Sequence, residues 1–272
     1  MEMRELYEYN DEDFGLSHSY SPVPDQSRFV LHTHAKAELY YFVSGAGVFH
    51  IEGNDYPLRS GDLLLMQSAE SHYIELDASH PYERKVLHFN LDVLKTIDPT
   101  GLLQKPFLDR QPGKQNLYRA NCFQSGSCEH YFETMMSGSP DPRVSIFAGL
   151  IPLLWELCRL RNLPEQQPES AQDPVGYRII QYLNQNIESD ISLDDICQKF
   201  YISKSQLCRI FRESTGVTVK QYLNAKRLVR AKQRIDGGEL PTYVYLQCGF
   251  NDYSSFYRAY VKYFGAAPTH TK

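Results

Sequence analysis

Four side chains in the first third of the chain could act on one small object: His32, His34, Glu38 and His72. Residues two apart on an extended strand face the same side, so His32 and His34 can converge. Glu38 adds a carboxylate, and His72 can enter from a neighbouring strand. Three imidazoles and a carboxylate suit a divalent Fe, Mn, Ni or Zn ion. The same groups can instead hydrogen-bond a polar small molecule, or satisfy one another between strands. We take the cluster as an effector pocket without a cofactor, with a divalent metal held by His32, His34, Glu38 and His72 as the alternative. Tyr40 joins the pocket by spacing, because Glu38, Tyr40 and Phe42 share one strand face while Leu39, Tyr41 and Val43 share the other. Tyrosine faces combined with polar groups suit a sugar ring, which binds by stacking and hydrogen bonding.

The elements that must hold these residues are short strands. Apolar runs fill Leu39 to Val43, Val48 to Ile51, Asp62 to Met66, His72 to Leu76 and Lys85 to Phe89. Turn residues at Ser44-Gly45, Gly53 to Asp55 and Ser60-Gly61 separate them. Many short strands at this spacing predict a sandwich or barrel over Phe29 to Asn90. Helical character returns over 124–162. Phe123, Tyr131, Phe132, Met135 and Met136 offer one inner face. Ile146, Leu150, Leu153, Leu154, Leu157 and Leu160 recur at three and four along a helix from Val144 to Arg161. That stripe serves either to cover the barrel or to join two copies of the chain. Trp155, the only tryptophan, lies on this helix.

The last hundred residues carry a different pattern twice. Ser192 to Phe200, a break at Tyr201-Ile202, and Ser203 to Gly216 read as helix, turn and helix. Tyr243 to Phe250 followed by Asn251 to Gly265 repeats the pattern. Ser203 with Gln206, and Ser192 with Asp195, are capping-box pairs that start helices. Leu207, Ile210 and Phe211 face a small core, and so do Phe256 and Tyr260. Ser205, Cys208, Arg209 and Arg212 then point outward in the first unit, and Ser254, Ser255 and Arg258 in the second. Gly249 suits the tight turn of the second unit. Val219 to Ile235 reads as one long amphipathic helix joining the units, closed by Asp236, Gly237 and Gly238. Its Lys226, Arg227, Arg230, Lys232 and Arg234 are expected on a wet face. Two such units on one body can read neighbouring turns of a DNA duplex through its major groove.

From about Pro174 onward the chain resembles the DNA-binding domain of the AraC/XylS family of bacterial transcription regulators. The resemblance is strongest at Gln247 to Arg258, Tyr263 to Gly265 and Pro268. It implies DNA contacts from Lys204, Ser205, Cys208, Arg209 and Arg212, and from Ser254, Ser255 and Arg258. The chain departs from the family at Tyr245, where a small residue is usual, and at Tyr243. A tyrosine in that helix contact is expected to open the second unit or force repacking. The N-terminal half is similar to the β-barrels called cupins. His32-x-His34-x3-Glu38-x6-Gly45 matches the first cupin motif, and Gly61-x10-His72 matches the ends of the second. Gln67, Ala69 and Leu76 depart from the second motif's usual Pro, Gly and Asn. The implied architecture is α+β. An N-terminal double-stranded β-helix (cupin) barrel with flanking helices fills 1–162, and a linker fills 163–174. An all-α domain of two helix-turn-helix units joined by a long helix fills 175–272.

Charge supports this division. Residues 174–272 hold 14 Lys and Arg against 8 Asp and Glu, a balance of +6, while residues 1–173 hold 14 against 25, a balance of −11. One half is thus suited to nucleic acid. Six cysteines without metal-finger spacing point to a reduced, cytoplasmic protein. No apolar run reaches membrane-spanning length, so no membrane partner is expected. The function expected is a regulator of transcription, not an enzyme. Its partners would be promoter DNA, a small-molecule effector of carbohydrate type, RNA polymerase and a second copy of the chain. The rivals are a metal-dependent cupin enzyme fused to a DNA-binding tail, and a constitutive DNA binder with a vestigial barrel.

Overall fold

The computed structural model describes residues 3–138, 141–161 and 175–269. The linker expected at 163–174 lies outside the described residues. Nine strands form the N-terminal part: β1 (Arg4–Asn10), β2 (Phe14–Ser21), β3 (Ala37–Ser44), β4 (Gly47–Ile51), β5 (Asn54–Pro57), β6 (Asp62–Met66), β7 (His72–Leu76), β8 (Tyr82–Phe89) and β9 (Leu117–Tyr118). They make a six-stranded sheet in the order β1-β2-β8-β3-β6-β9 and a three-stranded sheet in the order β5-β4-β7. All pairings are antiparallel. This is the cupin-type barrel, larger than the sequence pattern delimits. The hairpin of β1 and β2 was not legible, because β1 is an exposed, charged edge strand and β2 is rich in serine.

β3 and β6 are buried on both faces, which explains their nearly unbroken apolar runs. One face of the large sheet carries Leu39, Tyr41, Leu63, Leu65 and Leu87 into a core with the helices α2 (Glu129–Met135) and α3 (Pro142–Leu160), which follow the short α1 (Lys105–Leu108). Ile146, Leu150, Leu153, Leu154 and Leu157 all point into that core, so the leucine stripe covers the barrel. Val144 and Trp155 stay outside, with Trp155 55% exposed. The other face carries Tyr40, Phe42, Leu64 and Met66 against Phe49, Ile51 and Ile74 of the small sheet.

Six helices follow: α4 (Val175–Gln185), α5 (Leu193–Phe200), α6 (Lys204–Thr215), α7 (Val219–Asp236), α8 (Pro241–Gln247) and α9 (Tyr253–Phe264). Both predicted capping boxes form, at Ser192 with Asp195 and at Ser203 with Gln206. Each satisfies amide groups that a helix start leaves unpaired. Ser203→Ala is expected to lower the stability of this domain by about 1 kcal/mol in denaturant unfolding, whereas an unchanged midpoint would remove the cap from the account. The long helix α7 serves two small cores. Its first half packs Val219, Tyr222 and Leu223 with Leu207 and Phe211, and its second half packs Leu228, Ala231 and Ile235 with Phe256 and Tyr260. Gly249 has φ +80, and a Cβ there would lie 2.8 Å from the Arg227 side chain, so glycine is required on both counts. Tyr245 is accommodated edge-on against Tyr253, with ring centroids 5.5 Å apart, and Tyr243 points to solvent. Among the described residues no helix is long and apolar enough to cross a membrane.

Candidate effector pocket and DNA-binding face

Strand register assembles the pocket. β3 and β8 pair Glu38 with His88, Tyr40 with Val86 and Phe42 with Arg84. A bridge between His32 and His72 closes the opposite side through two backbone hydrogen bonds, of 3.1 and 3.0 Å. All four predicted cluster residues therefore meet. The Glu38 carboxylate is their centre. His34 Nε2 lies 2.7 Å from Glu38 Oε2, and its Nδ1 lies 2.7 Å from the Lys36 carbonyl oxygen. His72 Nε2 and His88 Nε2 stand 3.2 and 3.4 Å from the same oxygen. Burial opposes ionisation of Glu38, but the fields of His88 and His72 and the His34 bond outweigh it, holding the carboxyl well below its ordinary value. The His72 Nε2 atom is buried and not aligned for a hydrogen bond, which leaves it available to a guest. Burial of the imidazole, with the field of the neighbouring His72, lowers His32 to about 4, although the residue as a whole is exposed.

Of these groups His32, Glu38, His72 and His88 line a cavity of about 330 Å³ together with Tyr40, Phe49, Tyr73 and Arg84, whereas the predicted pocket residue His34 supports Glu38 and is not among the lining residues. That volume lies at the small end of ligand sites, the size of a monosaccharide. Sequence reasoning missed His88, Arg84, Phe29 and Phe49. The first two were signalled by period-two spacing, since Tyr82, Arg84, Val86 and His88 must share one face of β8. His32, His34 and His72 place their donor atoms within 4.8 Å of one another, and so do His34, Glu38 and His88. The donor types fit a divalent ion. The carboxylate, however, already accepts from His34 and has His72 and His88 within 3.4 Å, so it has partners without one.

The chain segment next to His72 is where the two halves of the protein touch. β4 and β5 are joined by a two-residue turn, Glu52-Gly53, with φ of 51° and 79°. Such a turn favours Asn-Gly. Glu52 in this conformation costs roughly 1–2 kcal/mol, and its carboxylate shows what is gained. One oxygen accepts from the Ser71 amide at 2.5 Å and from the Lys226 ammonium of α7. The other accepts from Tyr222 Oη at 2.7 Å and Asn184 Nδ2 at 2.6 Å. Lys226 also donates to the Ala69 carbonyl at 2.5 Å. Both charged side chains are buried. This corrects the expectation of a uniformly wet α7 face: Lys226 docks on the barrel, and Arg227 caps the Ile187 and Ser189 carbonyls. Gly53 is needed at the contact, since a Cβ there would lie 2.7 Å from Ile180. Tyr263 of α9 adds a hydrogen bond to the Thr33 carbonyl, 2.7 Å. A second cavity of about 600 Å³ lies between the halves, and His32 borders it as well as the first.

On the helical part, Lys204, Ser205, Cys208, Arg209 and Arg212 are exposed on α6, and Ser254, Ser255 and Arg258 on α9. Arg209 pairs with Glu213 at 3.2 Å and Lys204 with Asp194 at 2.8 Å. Exposed pairs of this kind are worth little and open readily for phosphate or base. Arg212 and Arg258 make no ion pair among the described residues, and Arg209 and Arg212 border an open cleft with Lys220 and Arg227 of α7.

Comparison with family models agrees with this architecture. The family model described as AraC-like ligand binding domain matches residues 20–125, and one described as helix-turn-helix domain matches residues 196–272. The transcriptional activator RhaR of Mannheimia succiniciproducens is 26% identical over 90% of this chain and 87% of its own. The Msm operon regulatory protein of Streptococcus mutans is 24% identical over 96% of this chain and 89% of its own. The crystal structure of ToxT from Vibrio cholerae O395 aligns with 95% of this chain and 96% of its own at 13% identity and a TM-score of 0.37. With the effector-domain match lying on the barrel and the helix-turn-helix match on the helical part, the chain belongs to the AraC/XylS family of DNA-binding transcription regulators.

Proposed function

We propose that the chain is a cytoplasmic, carbohydrate-responsive activator of transcription that works on promoter DNA as a dimer together with RNA polymerase. The observation that carries this is the single run Ala69 to His72. Its one end holds Lys226 of the DNA-binding half, and its other end lines the effector cavity. A ligand that contacts His32, His34, Glu38, Tyr40 and His72 differently in two domain arrangements shifts their populations, and only such a difference can do so. Relatives named as transcriptional activators support the sign of regulation. The DNA contacts are assigned to Lys204, Ser205, Cys208, Arg209 and Arg212 of α6 and to Ser254, Ser255 and Arg258 of α9. Short serine side chains reach few base atoms, so part of the readout is through DNA shape.

The test is thermal melting of the full chain against sugars and divalent metals, with chelator controls, paired with binding to its own promoter fragments. A ligand at about a hundred times its dissociation constant adds about 2.7 kcal/mol. Stabilisation by a sugar that also changes DNA affinity supports the proposal. Arg209→Ala is expected to weaken specific DNA binding by about 1–3 kcal/mol, leaving non-specific binding less affected. Equal affinity of wild type and variant for the promoter would remove Arg209 from the readout. The clustering of the His32, His34 and His72 donor atoms favours one second reading, a metal-bearing barrel. A melting temperature that falls with chelator and recovers with one metal would establish it, and turnover by that form would make the barrel an enzyme.

A further inference from the structure

Buried and partly buried arginines of this barrel rest on carboxylates: Arg110 on Glu70 at 2.6 Å, Arg119 on Asp62 at 2.5 Å. Arg84 does not. Its guanidinium carbon lies 5.5 Å from the ring centre of Phe29, 5.9 Å from Tyr40 and 5.8 Å from Tyr82. Its hydrogen bond is a long one, 3.4 Å from Nη1 to the Tyr82 hydroxyl. The Tyr82 hydroxyl is also engaged with Tyr40. Nε is buried with no partner, and no ion pair forms at Arg84 among the described residues. The guanidinium lines the effector cavity, and Arg28 lines it too. Glu38 is the one carboxylate among the lining residues, and His34, His72 and His88 already surround it. The cavity thus presents a guanidinium with an unpaired Nε and a long Nη1 bond, together with a Glu38 carboxylate ringed by imidazoles.

Resting on the reading of this cavity as the effector site, we infer that its ligand carries an anionic group, carboxylate or phosphate, that seats on Arg84 while a hydroxylated frame reaches Glu38 and the histidines. Planar guanidinium matches both anions in a two-point grip. A neutral sugar would leave the buried Nε unpaired, with Glu38, which the histidines already engage, as the only carboxylate lining the cavity. The expected effector class is therefore a small sugar acid or sugar phosphate.

The experiment uses the full-length chain and matched probes: galactose, galacturonate and galactose 6-phosphate, and the corresponding glucose set, followed by melting temperature and titration calorimetry. Inorganic phosphate and acetate, each compared with chloride at equal ionic strength, serve as minimal anions. The expected result is stabilisation by at least one minimal anion and by its matching sugar class, at least tenfold tighter than the neutral parent. Arg84→Gln should erase that preference and Arg84→Lys should restore part of it. The carboxylate and phosphate arms separate the two sources of charge. Should Arg84→Gln fail to fold, the wild-type comparison of anion with chloride still decides. No stabilisation by either minimal anion, or a neutral sugar bound as tightly as its acid and phosphate, overturns the inference and leaves the effector site standing. Melting and promoter affinity that respond to neither neutral nor acidic compounds overturn the effector reading itself.

Discussion

Lys226→Met is expected to release the helical half from the barrel, at a cost of about 3–5 kcal/mol to their contact. The figure follows from leaving Glu52 buried without its cation, since removing one partner of a buried pair strands the other. Lys226 donates across the contact to Glu52 and the Ala69 carbonyl, and within its own half it lies 5.3 Å from the Tyr222 ring centre. Calorimetry should show wild type melting with coupled halves and the variant melting in two separated transitions. Hydrogen exchange should rise at the Ser71 amide, which donates to Glu52. Glu52→Asn makes a sharper variant, because asparagine suits the left-handed turn while removing the charge. It should ease the hairpin and still uncouple the halves. A Lys226→Met protein that melts as wild type does would show that the ion pair contributes nothing to docking.

Arg110→Met should weaken the barrel by a similar amount, about 3–5 kcal/mol, which is on the order of 10 °C in melting temperature. The guanidinium is almost wholly inside, with 2.7 and 2.6 Å bonds to the two Glu70 oxygens and further bonds to the carbonyls of Leu65, Lys114 and Pro106. Glu70 also takes the Gly113 and Gln67 amides, at 2.6 and 2.7 Å. Burial raises its carboxyl, and the charge and hydrogen bonds of Arg110 more than offset that, so the group sits below the usual value of 4.5. Its folded value being lower than its unfolded one, the stabilisation is fully present above pH 4.5. It is lost as the pH falls through the folded value. Wild type should therefore lose stability on acidification below that point, and Arg110→Met should lose less over the same range. Parallel acid profiles would assign the shift to other carboxylates. Glu70 also orients His72 through its carbonyl, 2.9 Å from Nδ1, so effector affinity should fall in the same variant.

Much of this was legible because it repeats at fixed spacing. β6 and β7 fall on the residues the apolar runs mark, and the two capping boxes start α5 and α6 where serine and its partner predict. The cluster of His32, His34, Glu38 and His72 does assemble, but not by alternation along one strand: Glu38 lies on β3, His72 opens β7, His32 is held by an isolated bridge to His72, and His34 lies in the connection before β3. What escaped has physical reasons. β2 buries Phe14 and Leu16 between serines and a glycine, too small an apolar signal to read. Lys226 looks like any solvated helix charge, since nothing local to α7 tells of a carboxylate 174 residues away. Glu52 falls just before the turn that Gly53 to Asp55 mark in the sequence, and only its left-handed backbone conformation betrays its part in the turn and its second duty. Arg84 lies among aromatic residues that a strand pattern assigns to core, so its unpaired Nε is visible only once the neighbours are in place.

Trp155 gives the molecule an optical property of its own. It is the sole indole, it stands on the outer face of α3, and more than half of it meets solvent. Fluorescence excited at the indole therefore comes from one spot, far in structural role from both the effector pocket and the DNA-contacting helices. In a free chain the emission should be red-shifted and open to collisional quenching by acrylamide. Should the outer face of α3 be the surface on which copies meet, concentrating the protein would shift that emission to the blue and shield it. Assembly through this helix can thus be followed by light alone, with no label attached and no residue changed.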